Sequence, residues 1–167
     1  MIRSVRFMVV GVLTFAIVGF AGGSWAATWG TFKTWKTFSS SGVSLCAQDR
    51  PALNAGGVSG DWKARGYERP LRNSCSTGQT RPAGRIGLAM SLWVYDGAAN
   101  YTLFADSGGY NYNSETTDVK QSSLYVAQSL DCISRPWQTR VRGREWDDDS
   151  SEYYSNPDYN SVAGYCG

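Results

Sequence analysis

The chain has 167 residues, of which 42% are hydrophobic and 18% are charged, and its net charge is +2. This length suits one domain with a core of its own. The sequence contains no histidine, which excludes the usual general base of serine and cysteine hydrolases and the commonest ligand of catalytic zinc.

Residues 1–26 have the three-part layout of a secretory signal peptide. Two arginines precede an apolar run that ends at Phe20, and small residues then lead to Ala26. The run is shorter than the ~20 residues of a membrane-spanning helix, although a retained anchor is the alternative. We therefore expect a secreted, extracellular protein that begins near Ala27 and has no membrane span in its mature part.

The charge balance argues against a nucleic-acid partner. Arg3 and Arg6 account for the whole net charge, so the chain from Ala27 onward is neutral overall. A neutral chain has no general attraction for a polyanion. Basic residues nevertheless predominate before Gly87 and acidic residues after it. Either the two halves fold against each other, or the basic half forms a face for an anionic wall polymer.

Four cysteines predict two disulfides in an exported chain. They lack the C-x-x-C spacing of zinc sites, and three pairings are open. Sequential pairing closes short loops, so we predict Cys46 with Cys75 and Cys132 with Cys166.

Residues 27–40 form a predicted extended segment that precedes a β domain at 41–167. Aromatic residues recur in it at every third position, at Trp29, Phe32, Trp35 and Phe38. This spacing is extended rather than helical. The row is either a strip for stacking on sugar rings or part of the hydrophobic core.

Alternating apolar residues predict the strands of the β domain. The clearest strand is Arg85 to Tyr95, and turn residues separate it from Tyr101 to Ala105, which predicts a hairpin. The remaining candidates are 123–132 and 136–146, with weaker ones at 43–48 and 58–64. The predicted fold is a disulfide-stabilised, single-domain, two-layer antiparallel β-sandwich, with a small β-barrel as the alternative.

Arg140, Arg142 and Arg144 are spaced by two residues, so a strand would present all three on one face. Such a row can grip the phosphates of a wall polymer. The alternative, which we prefer from sequence, is a solvent face whose arginines pair across strands with Asp and Glu.

The acidic stretch WDDDSSEYYSNPD, at 146–158, resembles a calcium-binding loop in the spacing of its oxygen donors. The side-chain ligands would be Asp147, Asp149, Ser151 and Asp158. Glu152, however, occupies the position where that loop needs glycine. We therefore predict a solvated acidic loop, with a weak calcium site as the alternative and no other cofactor.

These features together predict a small protein that acts by binding an extracellular glycan, a cell-wall polymer or another protein. We assign no catalytic residue. The binding candidates are the arginine row and five tryptophans, Trp29, Trp35, Trp62, Trp137 and Trp146. The alternatives are a glycan hydrolase that uses two carboxylates and a secreted protease inhibitor or toxin.

Overall fold

The computed structural model describes residues 27–56, 60–98, 100–127, 130 and 135–164. These residues form twelve β-strands. In chain order the strands are β1 (Thr28–Trp29), β2 (Lys33–Ser40), β3 (Val43–Leu53), β4 (Trp62–Arg72), β5 (Thr77–Gly78), β6 (Ile86–Tyr95), β7 (Tyr101–Asp106), β8 (Asn111–Tyr112), β9 (Lys120–Tyr125), β10 (Trp137–Asp147), β11 (Glu152–Ser155) and β12 (Asn160–Gly164).

The strands form two antiparallel sheets that do not close into a barrel, which confirms the predicted sandwich. The first sheet centres on the β3–β4 pair and also holds β1, β2, β5 and β9. The second centres on the β6–β10 pair and also holds β7, β8, β11 and β12. In the part of the chain that the structure describes, no helix is long and apolar enough to cross a membrane.

The strict alternation predicted for β6 and β10 sets the two faces of the second sheet. In β10 every odd-numbered residue is buried and every even-numbered residue is half-buried. Val141 packs with Leu88 and Met90 of β6 in the core between the sheets. Trp137 is only 4% exposed and packs in a second core cluster with Leu53 and Leu92, so this binding candidate cannot stack on an external ligand.

The N-terminal aromatic segment is extended, as predicted, but it is part of the first sheet. Both β1 and β2 are hydrogen-bonded to β3. A β-bulge lies between Thr34 and Lys36 and inserts one extra residue into β2. Phe32, Trp35 and Phe38 are all half-buried, and the bulge lets Trp35 and Phe38 face the same side of β2 although their spacing is three.

The sequence pattern placed some strands incorrectly. The weak candidate at 58–64 overlaps β4 only from Trp62, and its first two residues lie outside the described chain. The strand then runs on to Arg72 through a stretch of polar residues. The candidate at 123–132 is β9, which ends at Tyr125. Its last predicted residues lie partly outside the described chain. In β4 the buried positions include Glu68 and Pro70, which carry no apolar signal.

The predicted Cys46–Cys75 disulfide is present, with a Cα–Cα distance of 5.4 Å. It ties β3 to the turn after β4 and closes a loop of 29 residues in sequence separation. The predicted Cys132–Cys166 bond lies outside the described residues.

Replacing Cys46 and Cys75 together with alanine is expected to lower the free energy of unfolding by about 3–4 kcal/mol, because the bond restricts the unfolded chain. Urea unfolding without reductant measures the loss. Thr77→Ala, at an exposed position of the neighbouring β5, is the control and should change little. A double variant as stable as the parent would contradict the prediction.

Candidate binding site on the second sheet

The arginine row lies on the outer face of the second sheet, as the alternation predicts. The residues opposite it on β6 are Ser91, Ala89 and Gly87. On the other side of β10, Ser161 pairs with Arg140 and Ser155 with Arg144. The prediction that these arginines pair across strands with Asp and Glu is therefore wrong, since none of these neighbours is acidic.

Aromatic rings take the place of carboxylates beside the arginines. The guanidinium carbon of Arg140 lies 4.0 Å from the centre of the Trp93 ring, and that of Arg144 lies 4.3 Å from the centre of the Tyr110 ring. Arg142 lies 5.7 Å from the Tyr159 ring. These are cation–π distances, and they hold the cations against the sheet.

Hydrogen bonds to neutral oxygens fix the arginines further. Arg140 Nε donates to Gln138 Oε1 at 2.6 Å, and Arg144 Nε donates to Ser155 Oγ at 2.7 Å. Arg142 Nε donates to the carbonyl oxygen of Asn156. Because these partners carry no charge, they orient the guanidinium groups without neutralising them.

A cavity of about 520 Å³ lies over Arg142, within the usual size of small-ligand sites. It opens between β6, β7 and the two turns that follow β7 and β11. Its walls combine aromatic, apolar and charged groups. The main lining residues are Trp93, Leu103, Asp106, Tyr110, Arg142 and Tyr159. We call this cavity the basic groove.

The loop after β7 forms one wall of the basic groove and requires glycine. Gly108 and Gly109 have φ angles of +69° and +128°, which favour glycine. Asp106 Oδ1 accepts a hydrogen bond of 2.7 Å from Gly108 N, and Ser107 Oγ donates to the Gly109 carbonyl at 2.7 Å. The Asp-Ser-Gly-Gly turn signal was present, but nothing in it indicated a groove.

The acidic stretch 146–158 is mainly a hairpin that joins β10 to β11. Asp148 forms ion pairs of 3.2 Å with both Arg81 and Arg85. Asp149 Oδ1 accepts a hydrogen bond of 3.0 Å from Ser41 N, in the turn between β2 and β3. Residues 149–152 of the hairpin are exposed, but Asp148 and Asp149 also attach the hairpin to the body of the protein.

The four proposed calcium ligands are not brought together on one loop. Asp147 is 4% exposed and accepts hydrogen bonds from Asp149 N at 3.0 Å and Ser150 Oγ at 2.7 Å. Asp158 follows the far end of β11, a strand of four residues that spans roughly 10 Å. Ser151 occupies the hairpin turn with φ of 55°. The described residues contain no group of three or more His, Cys, Asp or Glu placed to hold a metal.

Sequence reasoning missed a cluster of three buried carboxyl groups between the sheets. Asp49, Glu68 and Glu145 are each 0% exposed. Burial raises the pKa of all three, and for Glu68 the charges of Glu145 and Asp49 raise it further. Each carboxyl group of the cluster therefore favours its protonated, neutral form over its charged form.

The buried cluster is held by donors from several strands. Trp35 Nε1 lies 3.2 Å and 3.3 Å from the two Glu68 oxygens, so this binding candidate has a structural contact. Asp49 Oδ2 accepts hydrogen bonds from Asn156 Nδ2 at 2.8 Å and Gly143 N at 3.1 Å. Among the residues that the structure describes, neither oxygen of Glu145 has a hydrogen-bond partner.

The three other tryptophan candidates lie against arginines on the outside of the sandwich. Trp146 stacks with Arg85 at 4.5 Å, next to the acidic hairpin. Trp29 and Trp62 lie together on the first sheet, with ring centres 6.1 Å apart. Trp29 and Trp62 are therefore far from the basic groove, on the opposite sheet.

The fold and these contacts define a class: a two-sheet antiparallel β protein with arginines and aromatic rings paired on its outer faces. Comparison with known protein families, with curated protein sequences and with solved structures finds no match for this chain.

Proposed function

We propose that the protein is exported and binds an acidic extracellular glycan in the basic groove. The observation that carries the proposal is the position of Arg142, whose guanidinium lines a groove walled by Trp93, Tyr110 and Tyr159. The disulfide and the predicted signal peptide support an extracellular location.

The groups in the groove match the chemistry of such a ligand. Aromatic rings provide flat apolar surfaces on which a sugar ring can stack. A guanidinium forms paired hydrogen bonds with a carboxylate, sulfate or phosphate. The Asp106 carboxylate accepts hydrogen bonds from hydroxyl groups. A sugar that carries both hydroxyls and an acidic group satisfies all three.

The buried carboxyl cluster does not favour the hydrolase alternative. A carboxylate pair must reach both sides of the bond that it cleaves. Glu68 and Glu145 are 0% exposed, so a substrate cannot touch either of them in this conformation. Binding through the groove therefore explains more of the structure than hydrolysis does.

Replacing Arg142 with glutamine is expected to weaken binding of a polyuronate, a polymer of acidic sugars, about tenfold or more, because a charge-assisted hydrogen bond contributes ~1.5–3 kcal/mol. The matched control is Arg72→Gln, which removes the same charge from an exposed position at the end of β4. Affinity electrophoresis of the mature protein in gels that contain polyuronate, with dextran as the neutral polymer, measures the difference.

Equal retardation of the two variants would contradict the proposal, since general charge attraction would then explain all binding. Equal retardation by dextran and polyuronate would show that the protein does not recognise the acidic group of the polymer. Circular dichroism of both variants verifies that the fold is retained.

A further inference from the structure

The outer face of the first sheet carries a second set of arginines and aromatic rings. Arg69 lies 3.5 Å from the centre of the Phe32 ring, and Arg65 lies 4.2 Å from the Trp62 ring. Arg50 lies 4.7 Å from the Trp29 ring and 5.4 Å from Phe32. The rings and cations alternate across β1, β3 and β4. We call this surface the first-sheet ladder.

Each arginine of the ladder is oriented by one neutral acceptor. Arg50 Nε donates to the Gly30 carbonyl at 2.9 Å, and Arg65 Nε donates to Ser123 Oγ at 2.9 Å. Arg69 donates through Nε and Nη2 to Gln48 Oε1. A guanidinium has five N–H donors, so these bonds fix each group while leaving further donors for a ligand.

The positions that form this face of β3 and β4 contain no acidic residue. The paired positions are Cys46 with Leu71, Gln48 with Arg69, Arg50 with Tyr67 and Ala52 with Arg65. Burial and the neighbouring charge of Arg50 lower the pKa of Arg69, as expected where positive charges are not neutralised. The acids of these strands, Asp49 and Glu68, point into the core instead.

The spacing of the three cations suits an extended chain. Arg65 and Arg69 are four residues apart on β4, and Arg50 pairs with Tyr67, midway between them. Successive cations are therefore about 7 Å apart along the strand direction. A ligand with regularly spaced acidic groups can contact all three at once.

We propose that the first-sheet ladder is a second binding face for an acidic glycan chain, so that one molecule can link two polymer chains. The ligand class rests on the function proposed above. The ladder and the basic groove lie on the outer faces of opposite sheets. Because packed sheets are about 10 Å apart, two chains can bind without touching each other.

A capture experiment tests the linking directly. The mature protein is bound to immobilised polyuronate, washed, and then exposed to fluorescent soluble polyuronate. The parent protein and the control Arg72→Gln/Arg135→Gln, which changes two exposed arginines, should both retain the labelled chain. The variant Arg65→Gln/Arg69→Gln should still bind the solid phase through the groove but lose at least 80% of the capture.

The groove variant Arg142→Gln separates this proposal from the previous one. It should bind the solid phase more weakly than the parent, through the ladder alone, and also lose capture. If Arg142→Gln binds and captures as well as the parent, the groove is not one of the two binding faces and the groove proposal fails. If the parent captures no labelled chain and Arg65→Gln/Arg69→Gln does not bind the solid phase, the ladder is the single glycan site and the linking proposal fails as well. If Arg65→Gln/Arg69→Gln captures as well as its control, the second face is overturned.

Two further measurements keep the result interpretable. Arg65→Lys/Arg69→Lys keeps the charge and should retain part of the capture, which separates loss of binding from loss of folding. Single-stranded DNA of similar length is the competing polyanion. DNA that displaces the labelled polyuronate at equal or lower concentration would overturn the assignment to glycans.

Discussion

Replacing Glu145 with glutamine is expected to stabilise the protein at pH 7 by about 1–3 kcal/mol, because a buried group without hydrogen-bond partners costs more when it is charged than when it is neutral. Burial raises the pKa of Glu145, and the nearby positive charge of Arg81 offsets this only in part. At pH 7 the folded protein must either keep a proton on the group or bury a charge. Glutamine has a similar shape and needs neither.

The pH dependence of this gain follows from the direction of the pKa shifts. Glu68 and Glu145 have folded-state pKa values well above the ordinary 4.5. Their contribution to stability is therefore complete below pH 4.5 and is lost as the pH rises toward the folded-state values. Asp49 acts in the same direction from 3.8, because burial raises its pKa and the hydrogen bonds from Asn156 and the Gly143 amide only reduce the shift.

One carboxyl group acts in the opposite direction. Burial tends to raise the pKa of Asp147, but hydrogen bonds from Ser150 and from the Asp149 amide outweigh it, so the pKa is lowered. Its contribution is present above 3.8 and is lost as the pH falls. Stability should thus be greatest in mildly acidic solution and lower at neutral pH.

Urea unfolding at pH 4.5 and at pH 7 measures both effects. Glu145→Gln should exceed the parent in stability at pH 7 but differ little at pH 4.5, where both side chains are neutral. Glu152→Gln changes an exposed glutamate on β11 and is the control. A parent protein that becomes more stable from pH 5 to pH 7, or a Glu145→Gln variant that is less stable at pH 7, would contradict this account.

Replacing Gly143 with alanine is expected to lower the free energy of unfolding by about 1–3 kcal/mol, the usual cost of overpacking. A Cβ atom at this position would lie 1.8 Å from Glu68 Oε2 and 2.8 Å from Trp35 Nε1. Neither group can move freely, because the Glu68 carboxyl group is buried in the core and accepts a hydrogen bond from the Trp35 indole.

The contact can be tested by removing its other half. Glu68→Ala creates space beside Gly143, so adding Gly143→Ala to that variant should cost much less than adding it to the parent. The difference between the two costs is the interaction energy of the pair. Equal costs in both backgrounds would mean that the carboxylate is not the group that excludes a side chain at position 143.

The alternating pattern of the sequence predicted the second sheet well and the first sheet poorly. The inward residues of β6 are apolar, and Trp137 and Val141 of β10 alternate with polar residues, so alternation is visible in the sequence itself. In β3 and β4 the inward positions include Asp49, Glu68 and Pro70, which are typical of loops. Asp49 and Glu68 can be buried because Gly143, Asn156 and Trp35 donate hydrogen bonds to them, and sequence order does not show such partners.

The candidate site was predictable only in part for the same reason. The spacing of Arg140, Arg142 and Arg144 correctly placed them on one face. Their partners Trp93, Tyr110 and Tyr159 come from separate parts of the chain. Only the pairing of β10 with β6 and the folding of two turns over the sheet bring them together.

The most direct test of the proposed function is a titration of the mature protein with a short uronate oligosaccharide, followed by NMR of the tryptophan indole N–H signals. The Trp93 indole donates to Ser91 Oγ at 2.7 Å beside the groove, whereas Trp137 is buried. Saturable shifts of the Trp93 signal that disappear in Arg142→Gln, with Trp137 unchanged, are the predicted result. A Trp93 signal that stays fixed while the oligosaccharide binds would contradict the claim that the basic groove is the glycan site.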